Sequence, residues 1–108
     1  MSYYVYMLRC RDGTLYTGLT NDVVHRMRCH AGLLAGGARY TRSHPPQELA
    51  ALWRVASKSE AAGMECAIKR LSRQEKEQLL AAPEKMRGTY LPGVTWQACL
   101  EGRFHDAV

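Results

Sequence analysis

Residues 3–18, YYVYMLRCRDGTLYTG, decide the fold. Two runs rich in tyrosine, valine, leucine and threonine flank the pair Asp12-Gly13, and this pattern is typical of two strands joined by a tight turn. The residues 3–20 are therefore predicted to form a β-hairpin that carries two tyrosines, Tyr6 and Tyr16.

The length of the turn decides which way the two phenols point. A two-residue loop at Asp12-Gly13 would place Tyr6 and Tyr16 on opposite faces, because a shift of one residue moves every side chain to the other face. A three-residue loop with a left-handed Gly13 pairs Tyr6 with Gly18 and Leu8 with Tyr16, so both phenols share a face. We favour the second register, in which Gly18 leaves room for a substrate or for the Tyr6 ring itself.

A helix is predicted directly after the hairpin, from Asp22 to about Leu33, with a cap from Thr20, Asn21 or Asp22. Arg26 and His30 are four residues apart and share one face of this helix. Its apolar stripe is expected to comprise Val23, Met27, Ala31 and Leu34.

These residues resemble the motifs of the GIY-YIG nuclease superfamily, which also includes the N-terminal nuclease domain of the excision-repair protein UvrC. Tyr4-Val5-Tyr6 and Tyr16-Thr17-Gly18 stand at the two half-motifs, and Arg26, His30 and Glu65 follow in the family's order. The match spans roughly residues 3–80 and is similar to the small stand-alone bacterial proteins of the superfamily.

The resemblance implies metal-dependent hydrolysis of a nucleic-acid phosphodiester. It assigns to Tyr6 the activation of the attacking water and to Tyr16 the positioning of water or phosphate. Arg26 is assigned to the scissile phosphate, which a guanidinium can hold through two parallel hydrogen bonds. His30 is expected to assist the base or to contact phosphate, the alternative being ordinary polar packing.

Glu65 stands where the family has its metal-binding glutamate, and it is the predicted ligand of Mg²⁺ or Mn²⁺. A magnesium ion that keeps several waters can be held by one carboxylate together with substrate oxygens. The alternative is a surface glutamate paired with Lys69 at i+4. The family's asparagine beyond the glutamate has no counterpart, because the only asparagine is Asn21. A nucleic-acid-binding module that does not cut, or cuts only with a partner, therefore remains the alternative function.

The net charge of +5 and the pI near 9.2 suit a polyanionic partner. Residues 35–46 are predicted to be a glycine-hinged loop, and its Arg39, Tyr40 and Arg42 suit contact with phosphates and an unstacked base, or else a solvated surface. Gly18, Lys69 and Arg73 complete the candidate nucleic-acid contacts, and DNA is the expected partner.

The rest of the chain predicts a third strand over residues 48–56 and two further helices. The first is capped by Ser57 or Ser59, and the second is capped by Ser72 and ends near Pro83. The order β-β-α-β-α-α indicates an α/β (α+β) fold with a three-stranded sheet. Residues 1–82 are expected to form the nuclease-like domain. Residues 83–108 are expected to pack on it or to form a homodimer or other protein contact.

Composition narrows the class of protein. With 46% apolar and 23% charged residues, the sequence is typical of a globular domain, and it contains no apolar run long enough for a bilayer and no signal peptide. The cytoplasm is the expected compartment. The four cysteines are far apart, which argues against zinc and disulfides and favours burial of most of them as small apolar side chains.

Overall fold

The computed structural model describes residues 2–104. The strands are β1 (Tyr3–Cys10), β2 (Leu15–Thr20), β3 (Pro46–Val55) and β4 (Thr89–Tyr90). The helices are α1 (Val23–His30), α2 (Arg39–Ser43), α3 (Lys58–Lys69), α4 (Arg73–Ala81) and α5 (Trp96–Leu100), with a 3₁₀ turn at Pro83–Lys85. The predicted mixture of a small antiparallel sheet and flanking helices is confirmed.

The sheet has four strands in the order β2-β1-β3-β4, which corrects the expected three. The added strand, β4, pairs with Trp53 and Arg54 of β3. Close approach at this edge depends on Gly88, where a Cβ would lie 3.1 Å from side-chain carbons of Trp53 and Val55. A strand of two residues is too short to show the alternation by which strands are found in a sequence.

The hairpin has the predicted three-residue loop. Gly13 adopts φ 86° and its amide donates to the carbonyl of Cys10, while Cys10 N lies 2.9 Å from Thr14 O. The register pairs Tyr6 with Gly18 and Leu8 with Tyr16, as predicted.

Both faces of the sheet are covered, and β1 is buried on both. We call the side that carries Tyr4, Tyr6 and Leu8 the tyrosine face; it packs against α1 and α5. The opposite side, with Val5, Met7 and Trp53, packs against α3 and is called the tryptophan face. A strand between two cores reads as a continuous buried run, which explains the uninterrupted burial of residues 4–8.

The helices after β3 begin where their caps predicted. Ser57 accepts from the amide of Glu60, and Ser72 forms a complete capping box with Glu75. By contrast, α1 stops at His30, three residues before the expected end, and Gly32 adopts φ 81° immediately beyond it.

The early end of α1 changes the segment that follows. Leu34, expected in the apolar stripe, is 41% exposed. Residues 35–46 are not loop throughout, because they contain α2 and the start of β3.

The described part of the C-terminal segment packs on both faces of the sheet: Met86 and Tyr90 lie on the tryptophan face, and apolar side chains between Leu91 and Phe104 lie on the tyrosine face. Five of its apolar side chains contact that core: Leu91, Val94, Trp96, Leu100 and Phe104. Arg28 Nε of α1 donates to Leu100 O at 3.0 Å. The domain boundary at residue 82 and a dimer contact stay predictions, and residues 105–108 lie outside the described part. None of the helices within residues 2–104 is long and apolar enough to cross a bilayer.

Candidate active site

The two phenols of the hairpin lie side by side on the tyrosine face, with ring centroids 6.4 Å apart. A Cβ on Gly18 would lie 2.5 Å from the Tyr6 oxygen and 3.2 Å from a ring carbon of Tyr16. Gly18 therefore leaves room for the Tyr6 ring, which is one of the two uses expected of it. Its expected role as a substrate contact stays a prediction.

Tyr6 is joined to His30 of α1. The Tyr6 hydroxyl lies 2.7 Å from His30 Nε2, and Nδ1 on the far side of the same imidazole lies 2.9 Å from the Thr41 hydroxyl. Tyr6 is 1% exposed, His30 4% and Thr41 3%, so this line of polar groups is shielded from water. Because buried polar side chains must find partners, the three residues fix one another in place.

Arg26 approaches the same phenol from one turn earlier in α1. Its Nε lies 3.4 Å from the Tyr6 oxygen, and its Nη1 donates to the carbonyl of Gly36 at 2.9 Å. The guanidinium also interacts with the Tyr16 hydroxyl. Tyr6, Tyr16, Arg26 and His30 thus form one group, which we call the phenol cluster.

Burial sets the protonation of the cluster. It raises the pKa of Tyr6 to about 12, although the hydrogen bond from Arg26 acts in the opposite direction. Burial, followed by the charge of Arg26, lowers the pKa of His30 to about 4. At neutral pH the phenol is therefore protonated and the imidazole is neutral and able to accept a proton.

Glu65 lies on α3, half-buried, with 24% of its side chain exposed. Its carboxylate is close enough to Tyr6 for its charge to raise the pKa of that phenol. Lys69 Nζ lies 3.6 Å away, so the ion pair weighed as the alternative is present. The pair does not exclude metal binding, because an exposed lysine can move aside at little cost.

A metal at Glu65 would rely on few protein ligands. No group of three or more histidine, cysteine, aspartate or glutamate side chains within residues 2–104 is placed to hold an ion. A single partly exposed carboxylate fits Mg²⁺ or Mn²⁺, which accept water and phosphate oxygens as remaining ligands, better than an ion that needs a complete protein cage.

An aromatic column extends from the phenol cluster. Tyr40 of α2 stacks on Tyr16 at 5.6 Å and on His44 at 4.2 Å. The His44 imidazole is bonded to Asp12 through Nδ1 at 2.5 Å, and this hydrogen bond holds the pKa of Asp12 below its usual range. Tyr40, expected to stack on a base, already stacks within the protein and keeps 36% of its surface exposed.

The structure adds two residues, Thr41 and His44, that the sequence does not predict as part of the site. Thr41 is 11 residues from His30, and His44 is 32 residues from Asp12. No spacing rule connects side chains so far apart in the chain. The sequence contains one indication of their role: both lie close to Tyr40 in a short polar segment.

The basic residues proposed for nucleic acid are in different situations. Arg39 and Arg42 are exposed on α2, near the phenol cluster, and Lys69 is exposed on α3. Arg73 is also exposed, but it already has partners within the protein: Nη2 donates to Gly13 O at 2.7 Å and Nε lies 3.1 Å from a Glu77 oxygen. Their contact with nucleic acid stays a prediction, and Arg73 has the least free capacity for it.

The class of protein is defined by its antiparallel sheet, covered on both faces, and by the phenol cluster, in which Tyr16, Arg26 and His30 surround Tyr6. The model of the GIY-YIG catalytic domain matches residues 2–78, and the chain belongs to this family of the nuclease superfamily.

The chain is also similar to individual UPF0213 proteins. The UPF0213 protein BH0048 of Halalkalibacterium halodurans is 48% identical over 81 residues, covering 75% of this chain and 84% of the relative. The UPF0213 protein NP_0776A of Natronomonas pharaonis is 48% identical over 79 residues, covering 73% and 91%. A solution NMR structure of the UPF0213 protein BH0048 from Bacillus halodurans aligns with a TM-score of 0.49 at 42% identity, over 75% of this chain and 84% of that one.

Proposed function

We propose that this protein is a metal-dependent endonuclease that hydrolyses phosphodiesters of nucleic acid, DNA in the first instance. The observation that carries the proposal is the 2.7 Å contact of Tyr6 with His30, alongside Arg26, in a chain of the GIY-YIG family. A phenol, a neutral imidazole and a guanidinium supply the proton transfer and the charge stabilisation that hydrolysis requires.

The proton route follows from the two pKa values. Moving the Tyr6 proton to His30 before attack would cost on the order of 10 kcal/mol, at about 1.4 kcal/mol for each pKa unit between them. Tyr6 is therefore proposed as a relay: its oxygen takes the proton of the attacking water while its own proton passes to His30 Nε2. No free phenolate has to form.

Arg26 is proposed to hold the scissile phosphate and its developing negative charge. A guanidinium can present two parallel N–H groups to one phosphate, which an ammonium cannot. Its Nη1 is bonded to Gly36 O, so phosphate competes with that carbonyl for the same donor. Tyr16, which interacts with Arg26, is proposed to position the water or the phosphate.

Glu65 is proposed to hold Mg²⁺ or Mn²⁺, which when bound neutralises charge on the phosphate and its leaving oxygen. The charge of Glu65 contributes to the raised pKa of Tyr6, which supports this assignment, because such an effect requires the carboxylate to lie within electrostatic reach of the phenol.

The binding path is proposed to run past α2, with Arg39 and Arg42 contacting phosphates and Tyr40 adding its exposed edge. Lys69 extends the path on the side of Glu65. These groups suit the excess of 15 basic over 10 acidic residues, and phosphate contacts of this kind carry most of the sequence-independent affinity for nucleic acid.

The test is a cleavage assay with Mg²⁺ on flap, fork, duplex and single-stranded DNA. Wild type should nick at least one substrate, whereas Tyr6→Phe and Glu65→Ala should not. Tyr90→Phe, which removes a phenol hydroxyl on the tryptophan face, is the matched control and should cut normally. Undiminished cleavage by Glu65→Ala would show that Glu65 is not the metal ligand. The absence of cleavage of every substrate by wild type would rule out the proposed endonuclease activity.

A second candidate is a module that binds nucleic acid without cutting alone. It is favoured by one observation: Tyr6 is only 1% exposed, so a water has little access to the relay in this conformation. Salt-dependent DNA binding without nicking in Mg²⁺ or Mn²⁺ would identify this function.

A further inference from the structure

We propose that Thr41 is a positioning residue for the reaction: its hydroxyl holds the neutral His30 imidazole as the tautomer whose unprotonated Nε2 faces Tyr6. This inference deepens the proposed function and rests on it for its catalytic consequence. Which nitrogen of the His30 imidazole carries the hydrogen can be measured without any cleavage activity.

The direction of each hydrogen bond can be worked out from Thr41. Its hydroxyl lies 3.0 Å from Ala38 O and 2.9 Å from His30 Nδ1. A carbonyl oxygen can only accept, so the single hydroxyl hydrogen of Thr41 is donated to Ala38. The Thr41 oxygen is then an acceptor towards His30, and the ring must carry its hydrogen on Nδ1.

The contacts at the opposite end of the imidazole are consistent with this answer. A neutral ring with hydrogen on Nδ1 has a bare Nε2, and the Tyr6 hydroxyl lies 2.7 Å from it. The Tyr6 oxygen also lies 3.4 Å from Arg26 Nε, which can only donate. With hydrogen on Nδ1 of His30, as the contact with Thr41 requires, Tyr6 receives from Arg26 and gives its own hydrogen to the bare Nε2.

This arrangement matters because the other tautomer would block the relay. With hydrogen on Nε2, the imidazole would donate to the Tyr6 oxygen and could not take the phenol proton. Both the relay in Tyr6 and the acceptor in His30 therefore depend on the hydroxyl of Thr41, which is buried and acts through its hydrogen bond with His30.

The backbone explains why Thr41 stays in place. A Cβ on Gly37 would lie 2.6 Å from Cys29 O, so the chain passes directly over the last turn of α1 at this point. Ala35 O accepts from Cys29 Sγ at 3.4 Å, which ties the same segment to α1. Helix α2 starts immediately after this crossing and carries Thr41 inward, where it is 3% exposed.

The direct test is the tautomer of His30 in the full chain, read from long-range ¹H–¹⁵N correlations of its ring near neutral pH, without substrate. Wild type should show a protonated Nδ1 and a bare Nε2. Thr41→Val keeps the shape but removes the acceptor, and the hydrogen should then move substantially to Nε2. Thr41→Ser should retain the wild-type tautomer. Ser43→Ala, which removes an exposed hydroxyl of α2, is the matched control and should leave the ring unchanged.

Two results would overturn the inference: a wild-type ring with hydrogen on Nε2, or a Thr41→Val ring that keeps hydrogen on Nδ1. Should Thr41→Val fail to fold, Thr41→Ala and the wild-type spectrum apply the same criterion. The cleavage assay adds the catalytic consequence: at equal folded fraction Thr41→Val should lose at least tenfold in rate, with recovery in Thr41→Ser. Equal rates in Val and Ser variants would refute the positioning role, whereas a wild type that never cuts would refute the proposed function and leave the tautomer result standing.

Discussion

The Tyr6 hydroxyl lies 2.7 Å from His30 Nε2, and both side chains are almost completely removed from solvent. Burial pushes their pKa values in opposite directions, to about 12 for Tyr6 and about 4 for His30. Between these two pKa values the Tyr6 phenol and the His30 imidazole are both neutral. The pH dependence of the site follows from this.

The cleavage rate should rise with pH through about 4 and then stay level to mildly alkaline pH. Below that value His30 is protonated and cannot accept from Tyr6; above it the acceptor is available. Single-turnover rates at saturating Mg²⁺ would measure this profile. A rate that keeps climbing tenfold per pH unit towards the pKa of Tyr6 would instead show that the free phenolate is the base.

Stability should fall as pH drops from 6.5 towards 4. An unfolded histidine takes up a proton near pH 6.5, whereas folded His30 resists until about 4, so the unfolded state binds more protons in this window. The loss should approach about 3 kcal/mol, at about 1.4 kcal/mol per pH unit. Urea unfolding across the window tests it, and His30→Gln should flatten the dependence. An equal slope in that variant would assign the effect to other groups.

Gly18→Ala should destabilise the fold by roughly 1–3 kcal/mol, since its Cβ would lie 2.5 Å from the oxygen of Tyr6, which is buried and bonded to His30. Gly63→Ala is the matched control: no atom lies within 4 Å of the added Cβ, and in helix α3 alanine should be about 1 kcal/mol more favourable. Chemical denaturation of both variants measures the difference in stability. Equal unfolding midpoints would show that the Tyr6 ring can shift to accommodate the added methyl group.

Arg26→Lys should lose about 100-fold in cleavage rate, comparable to the loss of one transition-state hydrogen-bond donor. The charge is kept, but the second parallel N–H to phosphate is lost. Rates compared at equal folded fraction are the measurement. A lysine variant within a few-fold of wild type would place Arg26 outside the site of chemistry.

Replacing Arg39 and Arg42 together by alanine should flatten the slope of log affinity against log salt by roughly two units on duplex DNA, at about 0.9 for each phosphate contact. Lys85 and Arg87, both exposed and remote from α2 in the chain, supply a control pair with the same change of charge. Fluorescence anisotropy titrations at several salt concentrations measure the slope. Identical slopes in the two double variants would place the binding path elsewhere.

Local features were predictable because neighbouring residues determine them. The turn at Gly13, the register that aligns Tyr6 with Gly18, and the caps at Ser57 and Ser72 all follow from rules that span a few residues. The apolar spacing of Ala31 and Leu34 continues past His30 and predicts a longer α1 than the structure has, because Gly32 turns the chain.

The sequence by itself determined the family, the hairpin that places both phenols on one face, and the order of most elements, because these depend on motifs and on the periodicity of strands and helices. Only the tertiary structure decided what surrounds Tyr6. The contact of His30 with Thr41, the stacking of Tyr40 on Tyr16, and the pairing of β4 with β3 all join segments that are separated in the chain. Burial of the Tyr6–His30 pair, and hence its opposed pKa values, arises from that packing and from no local pattern.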